Sequence, residues 1–439
     1  MAVLVNRFHV FFLRIMRNKG FAHNVVLLAG STTLSQGVVM LASPILTRLY
    51  TPADFGVLTV YTAILSTLSV VASLRYELAI PLPEDDETAV NLLALSTLIV
   101  PTMSLLTGLG VFLLGDQIVH WTNTPALKPY LWLLLPGLLG AGGYQVFNYW
   151  AIRKKAFDRI AQTKLSQSLG KVLTQVILGL LELGPVGLLL GNIVGQVSGS
   201  GTLAALAYKQ NRGALEQINK TRVRWVAQRY RRFPLLSSGS ALLNRAGLDL
   251  PPLLLAAFYG PQVVGWFGLG RRLIKVPMTL VGRSVAQVYM GESARLAQEA
   301  PETLHRLFLK TAQKLLLVGG IPIALLGLSS PWLFALIFGE IWREAGVYVQ
   351  LLAVMLVAEF VVVPVSSTLN MLEQQNLQLA WDVGRLVLVV SILWLANTMG
   401  GSPVQAVGAY SGGMLIAYLG LFGLCNYALA KVASGQDIH

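Results

Sequence analysis

Long apolar runs separated by short polar connections make up most of this chain. Each run has about 20 residues or more, the length of an α-helix that crosses the hydrocarbon core of a bilayer. We predict one membrane-spanning helix for each of twelve such runs. Their approximate bounds are 24–47, 56–80, 89–114, 128–151, 160–183, 186–208, 234–258, 262–290, 307–328, 346–369, 378–397 and 404–430. The predicted fold is therefore all-α and polytopic.

The composition agrees with a membrane protein. Of the 439 residues, 54% are hydrophobic and 12% are charged, whereas soluble domains carry about 25% charged residues. The single cysteine, Cys425, lies in the last predicted helix and supports neither a disulfide framework nor a cysteine metal site. The histidines are scattered without ligand spacing, so we expect no metal and no cofactor. The sequence contains no P-loop, dinucleotide-binding or nucleophile motif, and we expect no enzyme activity.

The basic residues favour one side of the predicted membrane. The formal net charge is +13, and twenty lysines and arginines lie at one set of helix ends. The opposite ends carry only Arg48, Lys128 and Arg343. Because cytoplasmic loops are enriched in Lys and Arg, both termini are predicted to be cytoplasmic. We expect anionic phospholipid as a partner of these helix ends, and no nucleic acid.

One long hydrophilic connection divides the predicted helices into two groups of six. The predicted organisation is an interfacial N-terminal segment (1–23), a six-helix bundle (24–208), a basic cytoplasmic linker (209–233), a second six-helix bundle (234–430) and a cytoplasmic tail (431–439). The openings of the bundles are similar, since one alignment places Pro44 on Pro252 and, after one inserted residue, Gly56 on Gly265. This order indicates a duplication. Two parallel repeats are expected to bind substrate at their interface.

Two segments between Ser43 and Ser96, SPILTRLYTPADFGVLTVYTAI and LRYELAIPLPEDDETAVNLLALS, carry a family resemblance. They resemble polysaccharide-export proteins of the multidrug/oligosaccharidyl-lipid/polysaccharide (MOP) superfamily, above all the Wzx-type O-antigen flippases. The resemblance implies a bacterial inner-membrane flippase that moves undecaprenyl-diphosphate-linked oligosaccharide between leaflets by alternating access. It also implies a polysaccharide polymerase and a chain-length regulator as partners. The alternative is a proton- or cation-coupled multidrug exporter of the same superfamily.

Three cations interrupt the eighth predicted helix, in the segment GLGRRLIKVP. On an α-helix, Arg272 and Lys275 lie about 100° and 40° around the axis from Arg271, so the three share one side. With the helix starting near Gln262, the arginines lie roughly 13–15 Å deep, near the bilayer midplane. Facing lipid, each cation would cost roughly 2.5–3.5 kcal/mol. We predict that the three face a hydrated cavity or carboxylate partners, and that they bind the diphosphate.

Other polar side chains within the predicted helices extend this hypothesis. Arg245 and Lys171 are expected to help bind the diphosphate, although Lys171 can also extend to the cytoplasmic end of its helix. Glu359 is expected as a counter-ion to the arginines or as a coupling-ion site. The remaining candidates are Asp249 and Asp382 as counter-ions or coupling groups, Gln36, Asn148 and Asn244 as the sugar cavity, and Arg75 and Glu77 as a cytoplasmic gate.

Two alternatives concern the acidic residues. Asp249 follows Arg245 by four residues, and Arg385 follows Asp382 by three, so each couple can also form an ion pair within one helix. The acidic segment Pro83–Thr88 resembles a metal site but is expected to be a solvated loop that caps the next helix. The predicted interior remains net basic, which favours an anionic cargo over the organic cations of a drug exporter.

Overall fold

A computed structural model describes residues 21–210, 218–299, 301–372 and 374–433. Almost all of these residues are helical, and none of them lies in a β-strand. The predictions for residues 1–20 of the N-terminal segment, for 211–217 of the linker and for the tail from residue 434 lie outside the described residues.

Helices follow one another with short connections. The first half of the chain forms α1 (Phe21–Leu49), α2 (Pro52–Ser69), α3 (Asp86–Thr122), α4 (Leu134–Arg153), α5 (Phe157–Leu180), α6 (Pro185–Val197), α7 (Ser200–Gln210) and α8 (Lys220–Arg229). The second half forms α9 (Ser238–Tyr259), α10 (Pro261–Glu299), α11 (Pro301–Leu315), α12 (Ile321–Phe338), α13 (Arg343–Val362), α14 (Ser367–Met371), α15 (Gln375–Thr398) and α16 (Pro403–Ala433). Short 3₁₀ segments lie at Tyr76–Ala79, Pro125–Leu133, Glu340–Trp342 and Val363–Val365, and π-helical turns at Phe233–Ser237 and Leu316–Gly320.

Six segments of the described chain are long and apolar enough to cross a membrane. They are Val26–Leu49, Asp86–Thr122, Thr303–Phe338, Glu340–Met371, Gln375–Thr398 and Pro403–Lys431. In Asp86–Thr122 and Gln375–Thr398, only 11% of the most apolar window is buried, so most of that apolar surface is available to lipid. The prediction of an all-α, membrane-type fold is confirmed, and the number of twelve helices stays a prediction.

Two predicted spans were wrong in their extent. The span 56–80 ends early, because α2 stops at Ser69 and the chain then bends through Leu74 and Arg75, whose φ angles are 51° and 64°. The span 186–208 consists of two helices, α6 and α7. Gly199, with a φ of 95°, lies between them in the left-handed region that glycine adopts readily. Hydropathy did not detect these bends because the bent segments are themselves apolar.

The chain folds into two compact units. Among the described residues, unit 1 comprises those up to Leu49 together with those of Tyr61–Val119 and Pro125–Ala246, and unit 2 comprises Tyr50–Val60, His120–Thr124 and those from Gly247 onward. The first turns of α2 therefore belong to unit 2, although they precede most of unit 1 in the sequence.

In unit 1, helices α5 and α6 pack closely because two glycines of α6 face α5. A Cβ atom added to Gly191 would lie 2.9 Å from the carbonyl oxygen of Lys171, and one added to Gly195 would lie 2.9 Å from the Cβ of Lys171. Small residues four apart commonly allow such an approach between membrane helices. This packing brings the polar side chains of both helices to one site.

The acidic segment Pro83–Thr88 caps α3, as the sequence predicts. The Asp85 carboxylate accepts a hydrogen bond of 2.6 Å from the Thr88 backbone amide, which lowers the pKa of Asp85. Asp86 forms ion pairs with Arg153 at 3.0 Å and with Lys154 at 2.8 Å. The described residues contain no group of three His, Cys, Asp or Glu side chains that could hold a metal ion.

In unit 2, the backbones of α2 and α10 meet at two glycines. A Cβ atom added to Gly56 would lie 1.8 Å from the carbonyl oxygen of Pro261, and one added to Gly265 would lie 1.8 Å from that of Pro52. Each glycine follows the proline that begins its own helix by four residues. The contact is therefore reciprocal, and it joins the two glycines that the internal alignment pairs.

We expect Gly56→Ala and Gly265→Ala to destabilise the protein, because a methyl group at either position overlaps backbone atoms. Overpacking typically costs about 1–3 kcal/mol, and backbone cannot move aside as a side chain can. Gly37→Ala within α1 is the matched control, since no atom lies within 4 Å of an added Cβ. This control should be neutral or stabilising by up to about 1 kcal/mol. Thermal unfolding in detergent measures the difference, and equal melting temperatures for all three variants would contradict the close contact.

Candidate functional site

A small cavity of about 20 Å³ within unit 2 is lined by cations and tyrosines. Its polar lining consists of Arg271, Lys275, Arg385, Tyr410 and Tyr418. We call this site the cationic cavity. Its residues come from α10, α15 and α16, and apolar residues of α9 and α13 complete the wall.

Helix periodicity explains which residues of α10 reach the cavity. Arg271 and Lys275 are one turn apart and both line it, whereas Arg272, about 100° further around the axis, does not. Gly270 brings α10 close to α13, because an added Cβ would lie 2.6 Å from a methyl carbon of Val349. This approach brings Glu359 of α13 within reach of Lys275.

Two carboxylates compensate two of the cations. Glu359 Oε1 lies 2.8 Å from Lys275 Nζ, with the Glu359 side chain 16% exposed. The other oxygen of this carboxylate is buried and has no hydrogen-bond partner among the described residues. Asp382 Oδ1 lies 3.2 Å from Arg385 Nη2, so this couple is an ion pair within α15. Glu359 thus forms its ion pair with Lys275, and its negative charge also acts on Arg271.

Arg271 is compensated differently. Among the described residues no carboxylate lies within salt-bridge distance of it, and its guanidinium lies 5.9 Å from the centre of the Phe267 ring. Arg385 likewise lies 4.8 Å from the Trp381 ring. A cation near an aromatic face keeps its charge and its hydrogen-bond donors. The cationic cavity therefore holds an excess positive charge with a planar set of donors, which suits an anion with several oxygens, such as a phosphate.

The other predicted diphosphate ligands lie elsewhere. Arg245 and Asp249 are one turn apart on α9, and neither lines the cationic cavity. Lys171 lies on α5 in unit 1, against Gly191 and Gly195.

The predicted sugar residues are not brought together. Gln36 on α1 and Asn244 on α9 are exposed. Asn148 lines a second pocket, of about 340 Å³, within unit 1. We call it the amide pocket; its polar lining is Tyr144, Gln145, Asn148, Gln167 and Gln196.

The predicted gate residues lie together at the bend before α3. Glu77 is fully buried and accepts hydrogen bonds from Ser73 Oγ and, at 2.9 Å, from Gln145 Nε2. Arg75 Nη1 lies 3.9 Å from the Glu77 carboxylate. This carboxylate therefore orients Gln145 toward the amide pocket.

Sequence reasoning missed the tyrosines of the cationic cavity and the glutamines of the amide pocket. Tyr410 and Tyr418 are eight residues apart, which places them about 80° apart around a helix. Helical periodicity could therefore have predicted that they share one side of α16. Gln145, Gln167 and Gln196 also lie inside predicted spans, where a polar side chain signals either a partner or a functional site.

Comparison with known proteins places the chain in a family. A sequence profile described as "Polysaccharide biosynthesis protein" matches residues 45–347. The chain belongs to this family. Proteins similar in sequence to this chain include the succinoglycan biosynthesis transport protein ExoT of Rhizobium meliloti, which is 24% identical over 74% of this chain. The teichuronic acid biosynthesis protein TuaB of Bacillus subtilis is 25% identical over 44% of this chain. The matches cover 63% of ExoT and 42% of TuaB, less than two thirds of either relative.

Solved structures of the MOP superfamily share the fold of this chain. An inward-facing multidrug resistance MATE family transporter matches 94% of this chain and 100% of its own, with a TM-score of 0.74 and 15% identity. A MOP superfamily transporter from Pyrococcus furiosus, whose reversed binding-pocket polarity suggests a different function, matches 93% of this chain and 96% of its own, with a TM-score of 0.58 and 16% identity. The resemblance seen in the sequence is confirmed at the level of family and fold.

We expect Glu359→Gln to lower the melting temperature more than the double variant Lys275→Met with Glu359→Gln. Losing one partner of a buried pair costs up to about 3–5 kcal/mol, because the other charge stays buried alone. The upper end is not expected here, since the Lys275 side chain is 32% exposed. A double-mutant cycle in detergent isolates the coupling.

The matched control for this pair is Asp116→Asn. Asp116 and Lys128 lie 2.7 Å apart, but their side chains are 77% and 63% exposed. Removing an exposed pair should cost at most about 1 kcal/mol. A shift for Glu359→Gln no larger than this control would mean that Lys275 does not depend on Glu359.

Proposed function

We propose that this protein is a flippase for undecaprenyl-diphosphate-linked oligosaccharide in the bacterial inner membrane. It moves the cargo from the cytoplasmic to the periplasmic leaflet by alternating access and carries out no chemical reaction. Membership of a polysaccharide biosynthesis family and the fold of MOP transporters support this proposal. A polysaccharide polymerase and a chain-length regulator are the expected partners in the membrane.

The observation that carries the proposal is the excess positive charge of the cationic cavity. Arg271 and Lys275 line it from one side of α10, and Arg385 lines it from α15. Two carboxylates pair with Lys275 and Arg385, which leaves Arg271 for an anion. The diphosphate of the cargo supplies such an anion, and guanidinium donors match the geometry of phosphate oxygens.

The proposed architecture is twelve membrane-spanning helices in two parallel six-helix repeats, with both termini in the cytoplasm. The alignment of Gly56 with Gly265 and their reciprocal contact in unit 2 support the duplication. The distribution of lysine and arginine supports the orientation. In parallel repeats the cargo path lies at the repeat interface.

The cationic cavity disfavours the multidrug-exporter alternative, because an exporter of organic cations needs an anionic or aromatic site. The excess charge of the cationic cavity is positive, the opposite of what a site for organic cations needs. The Pyrococcus furiosus transporter, whose reversed binding-pocket polarity suggests a different function, is a precedent for functional change within this fold.

We expect Arg271→Gln to reduce translocation at least about tenfold, because a charge-assisted hydrogen bond contributes about 1.5–3 kcal/mol. Arg271→Lys should recover part of the loss, since it restores the charge but not the planar fork. The measurement is leaflet transfer of the lipid-linked oligosaccharide in proteoliposomes, together with polysaccharide export in cells.

Arg283→Gln is the matched control, because Arg283 lies on the same helix, is exposed and does not line the cavity. It should transport normally. Full activity of Arg271→Gln at equal protein level would remove the cationic cavity from the mechanism. Export of organic cations by the purified protein, without transfer of lipid-linked sugar, would favour the drug-exporter alternative.

A further inference from the structure

The amide pocket of unit 1 has a lining of a different chemistry from that of the cationic cavity. Its side chains are the amides of Gln145 and Asn148 on α4, Gln167 on α5 and Gln196 on α6, together with Tyr144. None of these lining groups carries a charge. A space of about 340 Å³ lies at the lower end of the range of about 300–1,000 Å³ that is typical of ligand pockets.

Protein contacts orient two of the amides. Gln145 donates from Nε2 to the Glu77 carboxylate at 2.9 Å, and Gln196 donates from Nε2 to Asn192 Oδ1 at 2.9 Å. A carboxylate accepts hydrogen bonds only, so the Glu77 contact uses one N–H of Gln145 and leaves its second N–H as a donor and its carbonyl oxygen as an acceptor. The carbonyl oxygen of Gln196 is buried and has no hydrogen-bond partner among the described residues.

The other two amides have no partner in the described part of the chain. Asn148 and Gln167 are half-buried, and their side chains form no hydrogen bond there. Each amide offers two donor hydrogens and one acceptor oxygen. Buried polar groups are usually hydrogen-bonded because leaving them unpaired is costly, so unpaired amides at one pocket indicate that a ligand or water completes them.

The combination of acceptors and donors without charge determines the class of ligand. A hydroxyl group both donates and accepts, and neighbouring hydroxyls of a sugar ring repeat this pattern along one edge. A phosphate would find no cation in the lining, and an organic cation would find no carboxylate there. The Tyr144 ring, held by a 3.1 Å hydrogen bond between its hydroxyl and Thr163 Oγ1, adds a flat apolar surface.

We propose that the amide pocket binds a neutral sugar of the oligosaccharide through its hydroxyl groups, separately from the diphosphate site in unit 2. The identification of this sugar as part of the cargo rests on the proposed function. The binding of a neutral sugar by these residues does not rest on it.

The test uses the purified full-length protein in nanodiscs and two soluble probes. Saturation-transfer NMR measures binding of a panel of neutral di- and trisaccharides built from hexoses and N-acetylhexosamines. The second probe, geranyl diphosphate, carries the anionic group without a sugar. Asn148→Leu and Gln167→Met are the informative variants, because they keep side-chain size and remove amides on which no described residue depends for a hydrogen bond.

We expect each amide variant to weaken binding of the neutral sugar about 3- to 10-fold and to leave geranyl diphosphate binding unchanged. Arg271→Gln should show the opposite pattern. Gln313→Met removes an exposed amide of α11 outside the pocket, so it should change neither sugar binding nor geranyl diphosphate binding. Retained binding of geranyl diphosphate also shows that the amide variants are folded.

Three results would overturn the proposal. They are no binding of any neutral sugar by the unmodified protein, sugar binding unaffected by both amide variants, and tighter binding of a glucuronic-acid probe than of its neutral counterpart. If the protein bound neutral sugar but not geranyl diphosphate, the result would count against the diphosphate site of the proposed function and not against the amide pocket.

Discussion

Positive charge inside an apolar helical protein needs a partner or water, because each lysine or arginine costs roughly 2.5–3.5 kcal/mol against lipid. In unit 2, two carboxylates meet this need. Lys275 of α10 pairs with Glu359 of α13, and Arg385 pairs with Asp382 on α15. The close packing of α10 on α13 at Gly270 makes the first of these pairs possible. The helices thus approach closely enough to pair two of the cavity's three cations with carboxylates, while Arg271 lies beside the Phe267 ring.

The pockets of the two units are lined by different kinds of polar side chains. Unit 2 concentrates charge and shields it with carboxylates and with the rings of Phe267 and Trp381. Unit 1 contributes uncharged amides, one of which, Gln145, donates a hydrogen bond to the buried carboxylate of Glu77. A lipid-linked oligosaccharide has the same division, with an anionic diphosphate beside neutral hydroxyl groups. The proposed cargo would therefore match both pockets, whereas a simple inorganic anion would not form hydrogen bonds with the amides of a separate pocket.

Several features followed from the sequence because they depend on local spacing or on composition. Apolar length and the shortage of charge indicated a helical membrane-type protein. The segment Ser43–Ser96 indicated the family. Helical periodicity placed Arg271 and Lys275 on one side of their helix, and the same geometry explains why Arg272, about 100° away, does not line the cavity. The alignment of Gly56 with Gly265 identified two positions that the structure brings into contact.

Tertiary structure alone decided which distant residues share a site. Glu359 is distant from Lys275 in the sequence, so helical periodicity cannot predict that these two residues form an ion pair. Asn148 lies in one pocket with Gln167 and Gln196, while Gln36 and Asn244, equally polar in the sequence, are exposed. The physical reason is that a side chain's direction on its own helix follows from a fixed turn per residue. Its neighbours on other helices depend on glycine contacts and bends such as those at Gly195, Gly270 and Arg75, which hydropathy does not register.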